Sequence, residues 1–284
     1  MINTLKNIAF VVEEGAEDGH SDLGDHAARL AQAHDAHLIG IYAIDTASGH
    51  RASGHVRGAQ ALQEAAARRQ LEQERRVIRA GRHLARLTGR YGVSAEFRVV
   101  MLDHAEADIG RHSLYCDLVM VSHPPSERWP AEWTPDRILA EGGSPVLIVP
   151  QAWQQERIGK RVMVAWNGSR EARRSITDAM PFIVPAEEVR VVIVDGDKDP
   201  RWKGADAGAT LAHHLARHGA RIEVDQIQSD GAPVAEALLE HARASQTDLL
   251  VIGAYSRSRM YQRLFGGVTT TLLAETPVPL LISD

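Results

Sequence analysis

The sequence predicts an α/β protein of two tandem doubly wound domains, each a five-stranded parallel sheet with helices on both faces. Three observations predict it. Short apolar runs alternate with helical stretches along all 284 residues, the pattern that builds a parallel sheet covered on both sides. The pattern then runs a second time: Lys160-Arg-Val-Met-Val-Ala165 matches Lys6-Asn-Ile-Ala-Phe-Val11, and Asp248-Leu-Leu-Val-Ile252 matches Asp117-Leu-Val-Met-Val121. Ser144-Pro-Val-Leu-Ile-Val149 likewise matches the segment from Thr276 to Ile282. The period is far too long for a solenoid, so we read a tandem duplication, 1–150 and 151–284, joined near Pro150 to Gly159.

The first half opens with an apolar run at 7–12, expected to be a buried strand. Residues 23–36 follow a helical period, with Leu23, Ala27, Leu30 and Ala31 on one face. His37 to Ile44 is a second strand, and 46–58 is loop. Residues 59–90 are rich in Ala, Arg, Gln and Glu, all good helix formers, and predict a long helix ended by Gly92. A third strand at 94–100 precedes a helix from Asp103 to about Tyr115. Leu118 to Val121 is the fourth strand, 122–135 a Pro-rich loop, 136–141 a short helix and Val146 to Val149 the fifth strand. The second half reads as strands at 161–166, 189–194, 221–227, 248–252 and 279–282. Helices are expected at 170–180, 206–218, 233–245 and 268–274.

Composition excludes several classes. Apolar content of 44% supports a substantial core. The net charge of -5 gives no electrostatic footprint for nucleic acid. No apolar run is long enough to span a membrane. Met1 to Lys6 leads straight into a strand without a signal-peptide pattern. The single Cys116 cannot form an internal disulfide, which fits a reducing cytoplasm, and its place before an apolar run predicts an inert, buried thiol. Of the fourteen histidines, His34 and His37 flank a helix–strand turn, and His50 and His55 sit in a loop. His214 and His218 are spaced to share a helix face. With no Cys partner and no H-E-x-x-H, no metal site is predicted. No nucleophile elbow, Walker A sequence or base-plus-nucleophile arrangement is present, so no catalytic residue is assigned. The mixed charges of the long helix, such as Glu72 and Arg76, predict a solvated face.

One stretch carries most of the chemistry: the run Leu249 to Ile252, then Gly253, a loop of small, hydroxyl and basic residues, and Gly266-Gly267 opening a helix. A strand, a loop and a helix N-terminus together make a geometry that receives phosphate, because free backbone N–H groups and the helix dipole point at the ligand. Arg257, Arg259 and Arg263 add positive charge. At the end of the first strand of this half stands Val164-Ala165-Trp166-Asn167-Gly168-Ser169. Asn167-Gly168-Ser169 suits the N-cap region of the following helix, and the Asn167 amide can also donate to and accept from a ligand. Val194 and Asp195 end the next strand, and ligands of such sheets bind where these carboxyl ends converge.

On these residues both halves resemble the universal stress protein domain, an adenine-nucleotide-binding α/β fold, and the resemblance spans essentially the whole chain. The family motif is G-x2-G-x9-G-[ST] after the fourth strand. Gly253 matches its first glycine and Gly266 its third. Ser256 stands at the second glycine and Gly267 at the hydroxyl position, so two of the four positions are altered. Thr269 falls on a further hydroxyl position. The resemblance also gives V-x-x-D-G-S at the first strand, where Asn167 replaces the acid. It implies a stress-response protein that binds ATP, with Mg²⁺ as an accompanying ion. The contacts would come from Ala165, Trp166, Asn167, Gly168, Ser169, Val194, Asp195, Gly253, Tyr255, Ser256, Arg257, Gly266, Gly267, Val268 and Thr269. Any ATP hydrolysis would be slow and incidental.

The first half departs from this pattern. Its segment 122–135 has no glycine, its prolines remove N–H donors, and Glu127 and Glu132 would repel phosphate. Glu13-Glu14-Gly15 replaces the acid-Gly-Ser element. This half is therefore expected to have lost nucleotide binding, and Trp129 and Trp133 to pack their loop on the sheet edge. The alternative is a chain whose sites have both decayed and which acts by binding an unknown protein partner. In the family the last strand often pairs domains. The two halves are expected to use those edges on each other as an intramolecular pseudo-dimer, and a homodimer would need another surface.

Overall fold

The computed structural model describes residues 4–12, 23–44, 59–101, 109–124, 133–198, 208–254 and 267–284. Its strands are β1 (Asn7–Val11), β2 (His37–Ile44), β3 (Ala95–Met101), β4 (Leu118–His123), β5 (Val146–Pro150), β6 (Arg161–Ala165), β7 (Glu188–Val194), β8 (Ile222–Ile227), β9 (Leu249–Gly253) and β10 (Leu280–Ser283). They form one ten-stranded sheet in the order β3-β2-β1-β4-β5-β10-β9-β6-β7-β8. All pairs are parallel except β5 with β10, which is antiparallel, with Ile148 opposite Leu280, Leu147 opposite Leu281 and Val146 opposite Ile282. The order is therefore the same on both sides of the β5–β10 seam. Leu118–Val121 and Leu249–Ile252 are buried throughout, as continuous apolar strands must be when both faces are covered.

The helices are α1 (Leu23–His34), α2 (Ala59–Tyr91), α3 (Ile109–Ser113), α4 (Pro135–Gly142), α5 (Arg170–Asp178), α6 (Met180–Ile183), α7 (Ala209–Arg217), α8 (Val234–Ala244) and α9 (Val268–Glu275). The long helix is present, and Gly92 ends it at φ +65, its N–H bonded to the Thr88 carbonyl at 2.9 Å. Only its last turns dock, through Ala80, Leu84 and Leu87. The single helix expected over 170–180 is two. Pro181 has no N–H to continue α5 but fits the first turn of α6. Of the helix expected from Asp103, residues 109–113 are helical and 102–108 lie outside the described residues. The expected helix start at 206 also lies outside them. No helix among the described residues is long and apolar enough to cross a membrane.

The two halves share a closure at the amino ends of their central strands. The Asp117 carboxylate accepts from Lys6 N at 2.7 Å and Asn7 N at 2.8 Å. The Asp248 carboxylate accepts from Gly159 N and Arg161 N, each at 3.0 Å, and from Lys160 N at 3.1 Å. Each aspartate N–H also returns a bond to the neighbouring strand, Asp117 to Asn7 O and Asp248 to Arg161 O. A carboxylate is the one short side chain with enough lone pairs to collect several strand-start donors. Asp248 is 2% exposed, and burial pushes its carboxyl up against the lowering pull of the three N–H groups. Asp117 is exposed.

Beyond the seam the halves also touch elsewhere among the described residues. The His123 ring Nε2 bonds the Ala274 carbonyl of α9 at 2.9 Å, the His34 ring meets Phe182 of α6 edge-on, centroids 6.5 Å apart, and Arg29 Nη2 lies 3.5 Å from Glu156 Oε1. Asp248→Ala is expected to cost about 3 kcal/mol, because three backbone donors lose a buried acceptor, whereas Asp117→Ala at its wetter site should cost about 1 kcal/mol. Urea unfolding of the two variants measures both, and equal losses would mean that burial does not separate them.

Candidate functional site

Because β7, β6 and β9 are parallel neighbours, their carboxyl ends meet at one sheet edge. This brings together Ala165, Val194 and Gly253, as the sequence predicted. The β6 end leads directly into α5. Asn167 Oδ1 accepts from Ser169 N at 3.1 Å, Gly168 takes φ +69, and Ser169 Oγ accepts from Ala172 N at 3.1 Å as the N-cap. The capping role of Asn-Gly-Ser is thus filled, and the Asn167 side chain remains exposed. Trp166, half-buried beside it, has its indole N–H buried with no hydrogen-bond partner among the described residues.

Gly253 has a structural duty that the sequence did not reveal. A Cβ there would stand 2.3 Å from Ala172 N and 2.4 Å from the Glu171 carbonyl carbon. The first turn of α5 therefore rests directly on the β9 backbone. Ser122, the matching residue of the first half, is buried and carries a side chain. Four residues separate β6 from α5, whereas 13–22, between β1 and α1, lie outside the described residues.

Asp195 closes the next loop. It sits at φ +52. Its Oδ1 accepts from Lys198 Nζ at 2.6 Å and Ser229 N at 3.1 Å, and its Oδ2 from Ser229 Oγ at 2.6 Å. The Lys198 ammonium and the Ser229 donors hold its carboxyl at about 2, from an ordinary 3.8. Ser229 was not visible in the sequence, because it reaches Asp195 only through the β7–β8 pairing, whereas Lys198, three residues on in the same turn, is a local partner whose spacing the sequence does carry.

Helix α9 completes the edge. Gly267 is its N-cap and offers no side chain to its first-turn N–H groups. Its N-terminus thus differs from that of α5, which caps itself. Val268 is half-buried, Thr269 is buried and Thr270 is exposed. The predicted contacts Tyr255, Ser256, Arg257 and Gly266 lie outside the described residues, as do Arg259 and Arg263.

In the first half, Trp133 is buried at 2% exposure, in keeping with a packing role, whereas Glu13, Glu127, Trp129 and Glu132 lie outside the described residues. Cys116 is buried, and desolvation pushes its thiol up to about 11, which makes it an inert thiol at neutral pH. His214 and His218 do share a face of α7, rings 5.0 Å apart. Burial and His218 lower the His214 pKa. Among the described residues no group of three or more His, Cys, Asp or Glu could hold a metal ion.

The model of the Universal stress protein family matches residues 159–283, within the second half. Over 69 residues, 22% of this chain and 42% of the relative, the sequence is 32% identical to the stress response protein NhaX of Bacillus subtilis strain 168. The chain thus spans less than half of that relative's length. A universal stress protein from Archaeoglobus fulgidus superposes with TM-score 0.65 at 12% identity, covering 97% of this chain and 96% of its own. A functionally unknown protein from Pseudomonas aeruginosa PAO1 superposes with TM-score 0.57 at 16% identity, over 98% of this chain and 92% of its own. At those identities the two structures establish the fold alone.

Gly253→Ala is expected to destabilise the chain by about 2–3 kcal/mol, because the α5 backbone must move; a thermal midpoint unchanged from the parent would contradict the close contact. Asp195 has a folded pKa below its unfolded value. Its contribution is therefore full above about 4 and is lost as pH falls towards 2. Asp195→Asn should flatten the acid limb of the thermal midpoint over that window, and an unaltered acid limb would sink this assignment.

Proposed function

We propose that the chain is a cytoplasmic tandem universal stress protein whose second half binds an adenine nucleotide, ATP with or without Mg²⁺, and whose first half does not. The observation that carries this reading is the N-terminus of α9. It has no side-chain cap, it follows β9 in the chain, and the matched domain contains it. Phosphate would take the first-turn N–H groups at Gly267, Val268 and Thr269, and Gly253, Tyr255, Ser256, Arg257 and Gly266 are proposed as its further contacts. An adenosine beside it is supported by the exposure of the Asn167 side chain and by the buried Trp166 N–H, which has no hydrogen-bond partner among the described residues. Asp195 acts by holding the β7 loop, since its carboxylate oxygens already have protein partners. With no nucleophile and base placed together among the described residues, any turnover of ATP would be slow and incidental.

A second reading, a protein-interaction module without nucleotide, is favoured by the two altered motif positions, Ser256 and Gly267. Titration calorimetry with ATP, with and without Mg²⁺, separates the two, alongside mass spectrometry of a denatured extract. The first reading expects one nucleotide per chain and loss of binding in Gly266→Trp with the fold retained. No heat up to millimolar ATP, together with no co-purified nucleotide, would leave the interaction module.

A further inference from the structure

The antiparallel seam consumes β5 and β10, so among the described residues the sheet has two open edges, β3 and β8. They differ sharply. The large apolar side chains exposed among the described residues are Leu71, Ile78, Val99, Met101, Leu114 and Tyr115. All belong to the first half. Val99 and Met101 lie on β3 itself. Leu114 and Tyr115, the latter 81% exposed, follow α3, whose end is tied to β3 by Arg98 Nη1 donating to the His112 carbonyl at 3.2 Å. Around β8 no such residue is exposed among the described ones. An edge with unpaired backbone and apolar flanks is a template for strand addition.

The charges on each edge decide what could be added. β8 carries Glu223 and Asp225 and no basic residue; both acids are already paired with Arg190 of β7, and in the register centred on Val224 a second β8 laid antiparallel would oppose acid to acid. β3 reads Ala95-Glu96-Phe97-Arg98-Val99-Val100-Met101. Laid antiparallel on its own copy about Phe97, it puts Glu96 of each chain opposite Arg98 of the other, and Val99 opposite Ala95. Residues directly opposite share a face, so both charge pairs form together on one side of the extended sheet. Within one chain Glu96 and Arg98 already form an ion pair. Pairing of two copies would turn this into a neutral cluster of four charges.

We propose that the β3 edge is a homodimerisation surface, on which a second copy of this chain adds its β3 antiparallel in the register centred on Phe97. This extends the ten-stranded sheet across a twofold axis, and it does not depend on nucleotide binding by the second half.

The test is sedimentation velocity of the full chain over a concentration series, with a charge-swap pair. The wild type is expected at twice the 31.1 kDa chain mass. E96R and R98E each place like charges opposite one another and should sediment as single chains. Mixed in equal amounts, they restore both attractive pairs and should return to the double mass. A wild type that stays single up to its solubility limit overturns the proposal. So does a dimer that survives both single variants, or a mixture that stays single while both variants fold by circular dichroism. If either charge variant misfolds, Val99→Lys serves instead, and an undiminished dimer in that variant is equally fatal.

Discussion

The antiparallel pairing of β5 with β10 is the contact on which the rest of the molecule depends. A strand that ends a parallel sheet normally leaves one side unpaired, and Val-Leu-Ile-Val and Leu-Leu-Ile are poor sequences to leave in water. Here each covers the other, and every apolar residue of both strands is buried. Three consequences follow. The core is continuous across the two halves. The carboxyl edges of the two strand sets face opposite ends of the molecule. And α9 runs from the candidate site at its start to the other half at its end, where His123 meets the Ala274 carbonyl. A cationic or N–H-donating side chain is well matched to a helix C-terminus.

Much of this was legible in the sequence because each element had a strong local cause. Central strands are runs of four or more apolar residues, and their bounds fall within about two residues of expectation. Glycine and the Asn-Gly-Ser cap announced where helices end and begin. What escaped was tertiary. The split at Ala179 follows from Pro181, which a purely periodic reading of 170–180 passed over. Ser229 comes to Asp195 only after β7 and β8 pair, whereas Lys198 stands three residues on in the same turn. The duty of Asp117 and Asp248 was signalled, since both stand at the head of the matched fourth strands, but a reading directed at ligand chemistry took them as markers of repetition. Donors from strand starts more than eighty positions away explain them instead.

The candidate site shows the same division. Ala165, Val194 and Gly253 assemble because parallel strands align their ends, a property of fold class. The distinction between α5 and α9 is finer. Both helices begin at this edge, but Ser169 satisfies one terminus from within and Gly267 leaves the other without a side-chain cap. From sequence alone the cap and ligand roles of Asn167-Gly168-Ser169 stand side by side, because those residues can cap and can also contact a ligand.

The contact beneath α5 ties the residue that ends β9 to the helix that follows β6. With glycine at 253, the first turn of α5 rests on the strand backbone. With serine buried at 122, the matching place in the first half is occupied by a side chain. Position 253 is thus set by what lies above it rather than by its own turn, and a side chain there and a helix start directly on the strand exclude each other.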